Sequence, residues 1–250
     1  MVKTVRINNS DFSFSDRLSA CIGFFDGMHR GHQCLMKETI SYAEMHHIYS
    51  ALICFDPDPY DVLNDKHNPH IFSQEQRLKL VEEFGFDYCI IIHFTEEVMR
   101  LDPKVFIERY LNRMNLEYLV YGFDFRFGYQ GKGDGDTLKE YGSFQTEMIP
   151  ECSCYRKKIS STRIKENLKK GNFRLVNRLL GFDYRLTLKV INSSETGQKW
   201  LTEAIPYYDD VLIPKEGVYR DLFTIRNGRF YIETDRLYRT GEKLEITVRQ

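Results

Sequence analysis

The chain has 250 residues, 42 % of them hydrophobic, with 35 basic and 36 acidic side chains and a formal net charge of −1. This length suits one large domain, or one medium domain plus a small one, and the apolar content excludes wholesale disorder. The balanced charge provides no global basic field, so non-specific nucleic-acid binding is not expected.

Apolar runs such as Cys89–Ile92 fall far short of the ~18 residues of a membrane helix, and Met1–Ser10 lacks the apolar core of a signal peptide. The expectation is a cytoplasmic protein with no membrane and no nucleic-acid partner. The cysteines, at 21, 34, 54, 89, 152 and 154, agree with a reducing compartment. The first four stand singly in or beside apolar segments and read as small buried hydrophobes. No CxxC occurs, and Cys152-Ser-Cys154 is too tight for an ordinary zinc pair.

In chain order, Leu18–Phe25 is predicted to be a strand ending at the turn Asp26-Gly27. Residues 31–49 carry helical spacing through Leu35, Ile40 and Ala43. Ala51–Phe55 is the next strand, stopped by Pro57 and Pro59. Ser73 to Gln76 resembles a capping box opening a helix to about Phe84, with Gly85 as its stop. Tyr88–His93 is a third strand. Asp102-Pro103 supplies a cap and a first-turn proline for a helix to about Met114, and Tyr118–Tyr121 is a fourth strand.

This alternation argues for an α/β fold with parallel strands and crossover helices. Ligands in such open sheets sit beyond the carboxyl ends of strands. After Gly181, Tyr184–Ile191, Tyr219–Ile225, Arg229–Ile232 and Leu244–Val248 alternate apolar and polar residues, and Asn227-Gly228 is a hairpin turn. They predict an antiparallel β unit of about 65 residues, small for an independent core.

The string Gly23-Phe-Phe-Asp26-Gly-Met-His29-Arg-Gly31-His32 follows a strand and opens a helix. Its glycines allow close backbone approach, and helix N-terminal N–H groups suit a phosphate. Two histidines three apart can aim N–H groups at the same phosphoryl oxygens, stabilising charge that develops there. The plain alternative is a turn with two surface histidines. A metal reading is weaker, because no third ligand lies nearby and His67 and His70 fall in a loop that reads as solvated. Neither a Walker A loop nor GxGxxG occurs.

Later strings have chemistry of their own. Ser160, Ser161 and Thr162 open a helix that stops at Gly171, and its free N–H groups and hydroxyls can hold a triphosphate. Arg163 and Lys165 add positive charge for a pyrophosphate leaving group; a plain capped helix is the alternative. Phe123, Phe125 and Phe127 alternate around Asp124 and Arg126. Such a loop can pack an aromatic ring and bind its phosphate through Arg126, or be a sheet edge with core phenylalanines. Asp56 and Asp58, between prolines, fit an exposed rigid loop or simple turn chemistry.

These strings together resemble the His-x-Gly-His nucleotidyltransferases, and in detail the adenylyltransferase module of bacterial FAD synthetases, the bifunctional riboflavin kinase/FMN adenylyltransferases. Gly23–His32 resembles the family's first motif. Phe55-Asp-Pro-Asp-Pro59 resembles its Phe-Asp-Pro-His-Pro. Gly122-Phe-Asp-Phe-Arg-Phe-Gly128, followed by Gly133-Asp134, resembles its Gly-x-Asp-Phe-Arg-Phe-Gly loop, and Ile159-Ser-Ser-Thr-Arg-Ile-Lys165 its Ile-Ser-Ser-Thr-x-x-Arg helix start. The resemblance covers about residues 1–184.

It implies a Rossmann-like parallel sheet followed by a small antiparallel β unit, divided as 1–183 and 184–250. It also implies an enzyme that joins ATP and FMN into FAD and pyrophosphate, with Mg2+ carried on substrate phosphates. Under the resemblance His29, His32, Asp124, Ser161 and Lys165 carry catalysis. Gly23, Phe24, Asp26, Gly31, Thr162 and Arg163 line the nucleotide site, and Phe55, Asp58, Phe125, Arg126 and Phe127 lie against the flavin.

Two positions depart from the family. Lys165 replaces an arginine and loses its bidentate fork. Asp58 replaces a frequent histidine and brings an anion toward an anionic substrate. In the family a kinase barrel with a Pro-Thr-Ala-Asn motif follows Leu180-Gly-Phe-Asp-Tyr184. Here that motif is reduced to Leu201-Thr-Glu-Ala204, although Pro214–Tyr219 and Ile232–Tyr238 retain its outline. The expectation is a shortened kinase-like unit without riboflavin kinase activity. Alternatives are a non-catalytic flavin or nucleotide binder, and a transferase with another phosphorylated acceptor.

Overall fold

The computed structural model describes residues 1–9, 11–64, 68–219 and 222–249. The chain packs as two compact units, one of residues 1–68 and 74–159, the other of residues 69–73 and 160–250. Among the described residues no helix is long and apolar enough to cross a membrane.

The first unit is built on strands β1 (Lys3–Ile7), β2 (Leu18–Ile22), β3 (Tyr49–Asp56), β4 (Tyr88–His93), β5 (Leu116–Gly122) and β6 (Gln145–Ile149). They form one sheet in the order β1-β4-β3-β2-β5-β6, every neighbouring pair parallel. The helices between them are α1 (Arg30–His46), α2 (Pro59–Asn64), α3 (Gln74–Glu83), α4 (Glu96–Met99), α5 (Pro103–Arg109) and α6 (Gly135–Tyr141). All five residues of β2 are buried, as a central parallel strand covered on both faces requires. The Ser19 hydroxyl within it donates to the Thr39 carbonyl of α1 at 2.8 Å, so its polar group stays satisfied. α1 buries Leu35, Met36, Thr39 and Ala43, a helical stripe, and packs on β2, β3 and β5.

The differences from expectation have local causes. β1 (KTVRI) and β6 (QTEMI) lie at the two edges of the sheet and are largely exposed, so neither has the apolar run that reveals a strand. The Leu18–Phe25 strand stops at Ile22. The helix expected from Asp102 to Met114 ends at Arg109 and continues only as a 3-10 turn at Leu111–Arg113. Its start is as expected: Asp102 accepts the Lys104 N–H and Pro103 occupies the first turn. His70, expected in a solvated loop, is buried and pairs with Val211. His67 lies outside the described residues. Of the four cysteines expected buried, Cys21 and Cys89 are, whereas Cys34 and Cys54 are half-buried.

A small hairpin of β7 (Ser153–Cys154) and β8 (Lys157–Lys158) closes the first unit. The second unit opens with α7 (Ser161–Lys169) and α8 (Phe173–Leu180). Its antiparallel sheet comprises β9 (Tyr184–Thr196), β10 (Lys199–Pro206), β11 (Gly217–Tyr219), β12 (Phe223–Arg226), β13 (Arg229–Thr234) and β14 (Lys243–Val248), in the order β11-β12-β13-β10-β9-β14. α8 buries Phe173, Val176, Leu179 and Leu180. Its Asn177 donates to the Val248 carbonyl at 2.7 Å and accepts the Tyr184 N–H, fixing helix to sheet. Asn227 and Gly228 turn β12 into β13 with φ of 51° and 69°, the all-positive geometry of a type I′ turn. The segment expected as one strand from Tyr219 to Ile225 is instead split between β11 and β12, which pair with each other.

Candidate active site

The sheet order points to a candidate site. From β2 the chain steps through β3 and β4 to one side, then returns to β5 and β6 on the other. The reversal falls between β2 and β5, and the crevice beyond their carboxyl ends is where an open α/β sheet takes its ligand. The loops leaving those two strands are Gly23–His29 and Phe123–Gly128.

In the first loop Phe25, Asp26 and Met28 are buried, Asp26 to 2 % exposure. Gly27 holds φ +87°, a conformation L side chains seldom adopt. The loop delivers His29 to the N-cap of α1, where its Nδ1 accepts the His32 N–H at 3.3 Å. With Nδ1 accepting, the ring proton of neutral His29 resides on Nε2. The His29 and His32 rings stack at 3.7 Å, inclined by 16°. Gly31 makes room for this: a Cβ there would lie 3.2 Å from the His29 ring.

Burial sets the charge of both rings. His29 is only 6 % exposed, and loss of hydration lowers its pKa to about 4, with Asp26 and Asp124 opposing and Lys158 assisting. His32 falls well below the ordinary histidine value through burial and the neighbouring His29. At neutral pH both buried rings are uncharged. The buried Nδ1 of His32 has no hydrogen-bond partner within the protein.

The second loop brings Asp124 and Lys158 together as an ion pair, both acting on the His29 ring. The Lys158 ammonium also lies 4.7 Å from the centre of the exposed Phe123 ring. Arg126 pairs with Asp134 at 3.0 Å, and Asp134 caps α6 by accepting the N–H groups of Asp136 and Thr137. Phe127 is buried in the core against Phe106, and Phe125 stacks on it at 5.5 Å. The three phenylalanines therefore divide, with Phe123 on the surface and Phe127 in the core. Gly128 holds φ +69° where a Cβ would fall 2.7 Å from Pro103.

Beyond β3, Phe55 packs into the core against Phe94 and Phe106. Asp56 pairs with Arg6 at 3.3 Å. Asp58, expected on an exposed loop, is instead buried, because the chain turns there into α2 and its carbonyl accepts the Asp61 and Val62 N–H groups. Sequence reasoning overlooked two cations. Lys158 ends a run of three basic residues, Arg156-Lys157-Lys158, just before Ile159-Ser-Ser-Thr162, and that run is its only signal in the sequence. Arg77 of α3 lies 5.0 Å over the Phe24 ring and lines a narrow apolar recess with Phe25, Met28 and Leu52; nothing in its sequence context marked it.

In the second unit, Ser160 is the N-cap of α7 and accepts the Arg163 N–H at 3.3 Å. Ser161, Thr162 and Arg163 form the first turn, and Lys165 follows on the second. The helix stops at Gly171, which has φ +70°.

Residues 12–163 match the family model for FAD synthetase. The chain is 32 % identical over 217 residues to the bifunctional riboflavin kinase/FMN adenylyltransferase of Listeria monocytogenes, covering 84 % of this chain and 69 % of that one. It is 30 % identical over 239 residues to the Bacillus subtilis protein of the same name, covering 92 % and 75 %. To a protein of Listeria monocytogenes named FAD synthetase it is 28 % identical over 204 residues, 80 % of this chain and 78 % of that one. Among solved structures, one titled macrolide-efflux protein from Streptococcus pneumoniae superposes with a TM-score of 0.86 at 23 % identity, over 99 % of this chain and 89 % of that one. At that identity the likeness speaks for the fold.

Proposed function

This chain belongs to the FAD synthetase family, and from that premise we propose that its His29–His32 pair stabilises the transfer of an adenylyl group from ATP to FMN. The chain is a nucleotidyltransferase, an FMN adenylyltransferase that makes FAD. The observation that carries the site assignment is the stacked, buried, neutral histidine pair at the N-terminus of α1, beside the reversal point of a parallel sheet.

In the reaction an oxygen of the FMN phosphate forms a bond to the α-phosphorus of ATP. The bond from that phosphorus to the bridging oxygen breaks, and pyrophosphate leaves with the electron pair. The attacking phosphate is already anionic, so no strong base is needed and the protein's work is positioning and charge stabilisation. His29 donates from Nε2 to a phosphoryl oxygen, and the His32 ring stacked on it holds it in place. Water exclusion makes this dipole more effective than it is in bulk solvent. Gly23, Phe24, Asp26 and Gly31 line the nucleotide, and Lys158 holds Asp124 in place beside the pair. Ser161, Thr162 and Lys165 are assigned to the β and γ phosphates, with Arg163 adding charge. Phe55, Asp58, Phe125, Arg126 and Phe127 are assigned to the flavin side, Phe55 and Phe127 as the packed support beneath it. A magnesium ion carried by ATP would be held mainly by the phosphates and would offset the charge of the leaving pyrophosphate.

We assign the transferase function to residues 1–183 and propose that residues 184–250 have no riboflavin kinase activity. Thr202, in the position of the threonine of Pro-Thr-Ala-Asn, is fully buried, and its hydroxyl is bonded to those of Ser193 (3.0 Å) and Thr234 (3.1 Å). It is committed to the β sheet. Positional labelling tests both statements. Label at the α-phosphorus of ATP is expected in FAD and label at the γ-phosphorus in pyrophosphate. Appearance of the γ label in FMN made from riboflavin would overturn the second statement, and absence of the α label from FAD the first.

A further inference from the structure

The half-buried thiols of Cys34 and Cys152 stand with their Sγ atoms 3.2 Å apart, although 118 positions separate them in sequence. Cys34 lies on α1, two residues after His32, and its Sγ also approaches the Arg30 carbonyl at 3.3 Å. Cys152 begins the segment that carries Lys158, and its carbonyl accepts the Ile159 N–H at 3.0 Å. A Cβ added at Gly31 would lie 3.8 Å from that of Cys152, so this segment runs directly against the first turn of α1. Among the described residues no third His, Cys, Asp or Glu joins the two sulfurs in a metal-sized group. Thiol chemistry is therefore the better reading of the pair than a soft-metal site.

We propose that Cys34 and Cys152 form a site that a peroxide oxidises to a disulfide, and that this bond, by tying the start of α1 to residue 152, slows adenylyl transfer. The effect on rate rests on the adenylyltransferase reading; the thiol chemistry does not. The Cys34 thiolate attacks one oxygen of hydrogen peroxide, the O–O bond breaks, and a sulfenic acid forms with release of hydroxide. The Cys152 sulfur then attacks the Cys34 sulfur, the S–O bond breaks, and the oxygen leaves as water. In sum two thiols are oxidised and one peroxide is reduced to two waters. Burial pushes the Cys152 thiol up to about 11, so at neutral pH it stays protonated until a sulfenic acid stands beside it to be attacked. A disulfide bond is about 2.05 Å long, so closure draws the sulfurs together by roughly 1 Å, two residues from His32. A displacement of that size near reacting groups costs up to about 10²-fold in rate.

The test treats the full chain with stoichiometric hydrogen peroxide, then measures intact mass, linked peptides, titratable thiols and FAD formation. The expected result is loss of two hydrogens, a peptide linking Cys34 to Cys152, and a rate lowered about tenfold to a hundredfold, all reversed by dithiothreitol. Cys34→Ser and Cys152→Ser are expected to keep the reduced protein's rate and to ignore peroxide. A Cys152–Cys154 link, six thiols still titratable after treatment, or the expected link with an unchanged rate would each overturn the proposal. Mass and thiol count decide the chemistry even in a chain that made no FAD, so failure of the functional reading is distinguishable.

Discussion

Replacing His29 separates two things that one side chain does. Its Nδ1 caps α1 by accepting the His32 N–H, and its remaining ring N–H is available to a phosphoryl oxygen. Asparagine at this position keeps a capping oxygen and removes the ring, whereas alanine removes both. Loss of a cap costs about 1 kcal/mol, so His29→Ala should be about that much less stable than His29→Asn. Both lose the buried ring and its 3.7 Å stack on His32, so both should melt below the parent. Removing one donor that acts on developing charge typically costs ~10²–10³ in rate, or ~2.7–4 kcal/mol. The two variants should therefore share that loss in FAD formation while differing in thermal stability. Chromatographic FAD assay at saturating ATP and FMN, beside thermal melts, measures both. A His29→Asn protein with the parent rate would refute the role given to the ring.

The remaining predictions concern the buried pair and the loop beneath it. His29 titrates near 4 in the fold against an ordinary 6.5, so below about pH 6.5 the unfolded chain binds a proton that the folded chain refuses. Stability is then lost as pH falls from about 6.5 toward 4, by about 2 kcal/mol at pH 5, with His32 acting in the same direction. Urea unfolding at pH 7.5 and pH 5 should show this loss and a flatter dependence in His29→Asn; equal slopes would contradict it. Gly128→Ala places a Cβ 2.7 Å from Pro103 at φ +69°, and should destabilise the fold by more than about 1 kcal/mol. A melt unchanged from the parent would show that the loop relaxes around the added atom.

The parts legible in the sequence were those with a local signature. Buried strands β2 to β5 revealed themselves as apolar runs, and Asp102-Pro103 and Asn227-Gly228 carried their cap and turn in two residues each. The glycine between His29 and His32 reads in the sequence as room for a ligand beside the backbone; in the structure that room is taken by the His29 ring, 3.2 Å from where a Cβ would stand. Edge strands β1 and β6 were hidden because their side chains face water and their pairing is purely backbone. β10 shows in the sequence only as a worn motif, because what makes it a strand is backbone pairing with β9 and β13. Long-range pairing also concealed Lys158 beside Asp124, Arg77 over Phe24, and the approach of Cys34 to Cys152. The residue pattern shows Phe123, Phe125 and Phe127 alternating, but only the packing distinguishes the surface ring from the core one.

The most direct measurement is one incubation of the purified chain with ATP and magnesium, in parallel with FMN and with riboflavin, followed by chromatography. FAD formed from FMN together with an equal amount of pyrophosphate, and no FMN formed from riboflavin, is the predicted result. FMN bound but never converted, with no pyrophosphate released, would contradict the assignment and leave a flavin-binding protein in its place.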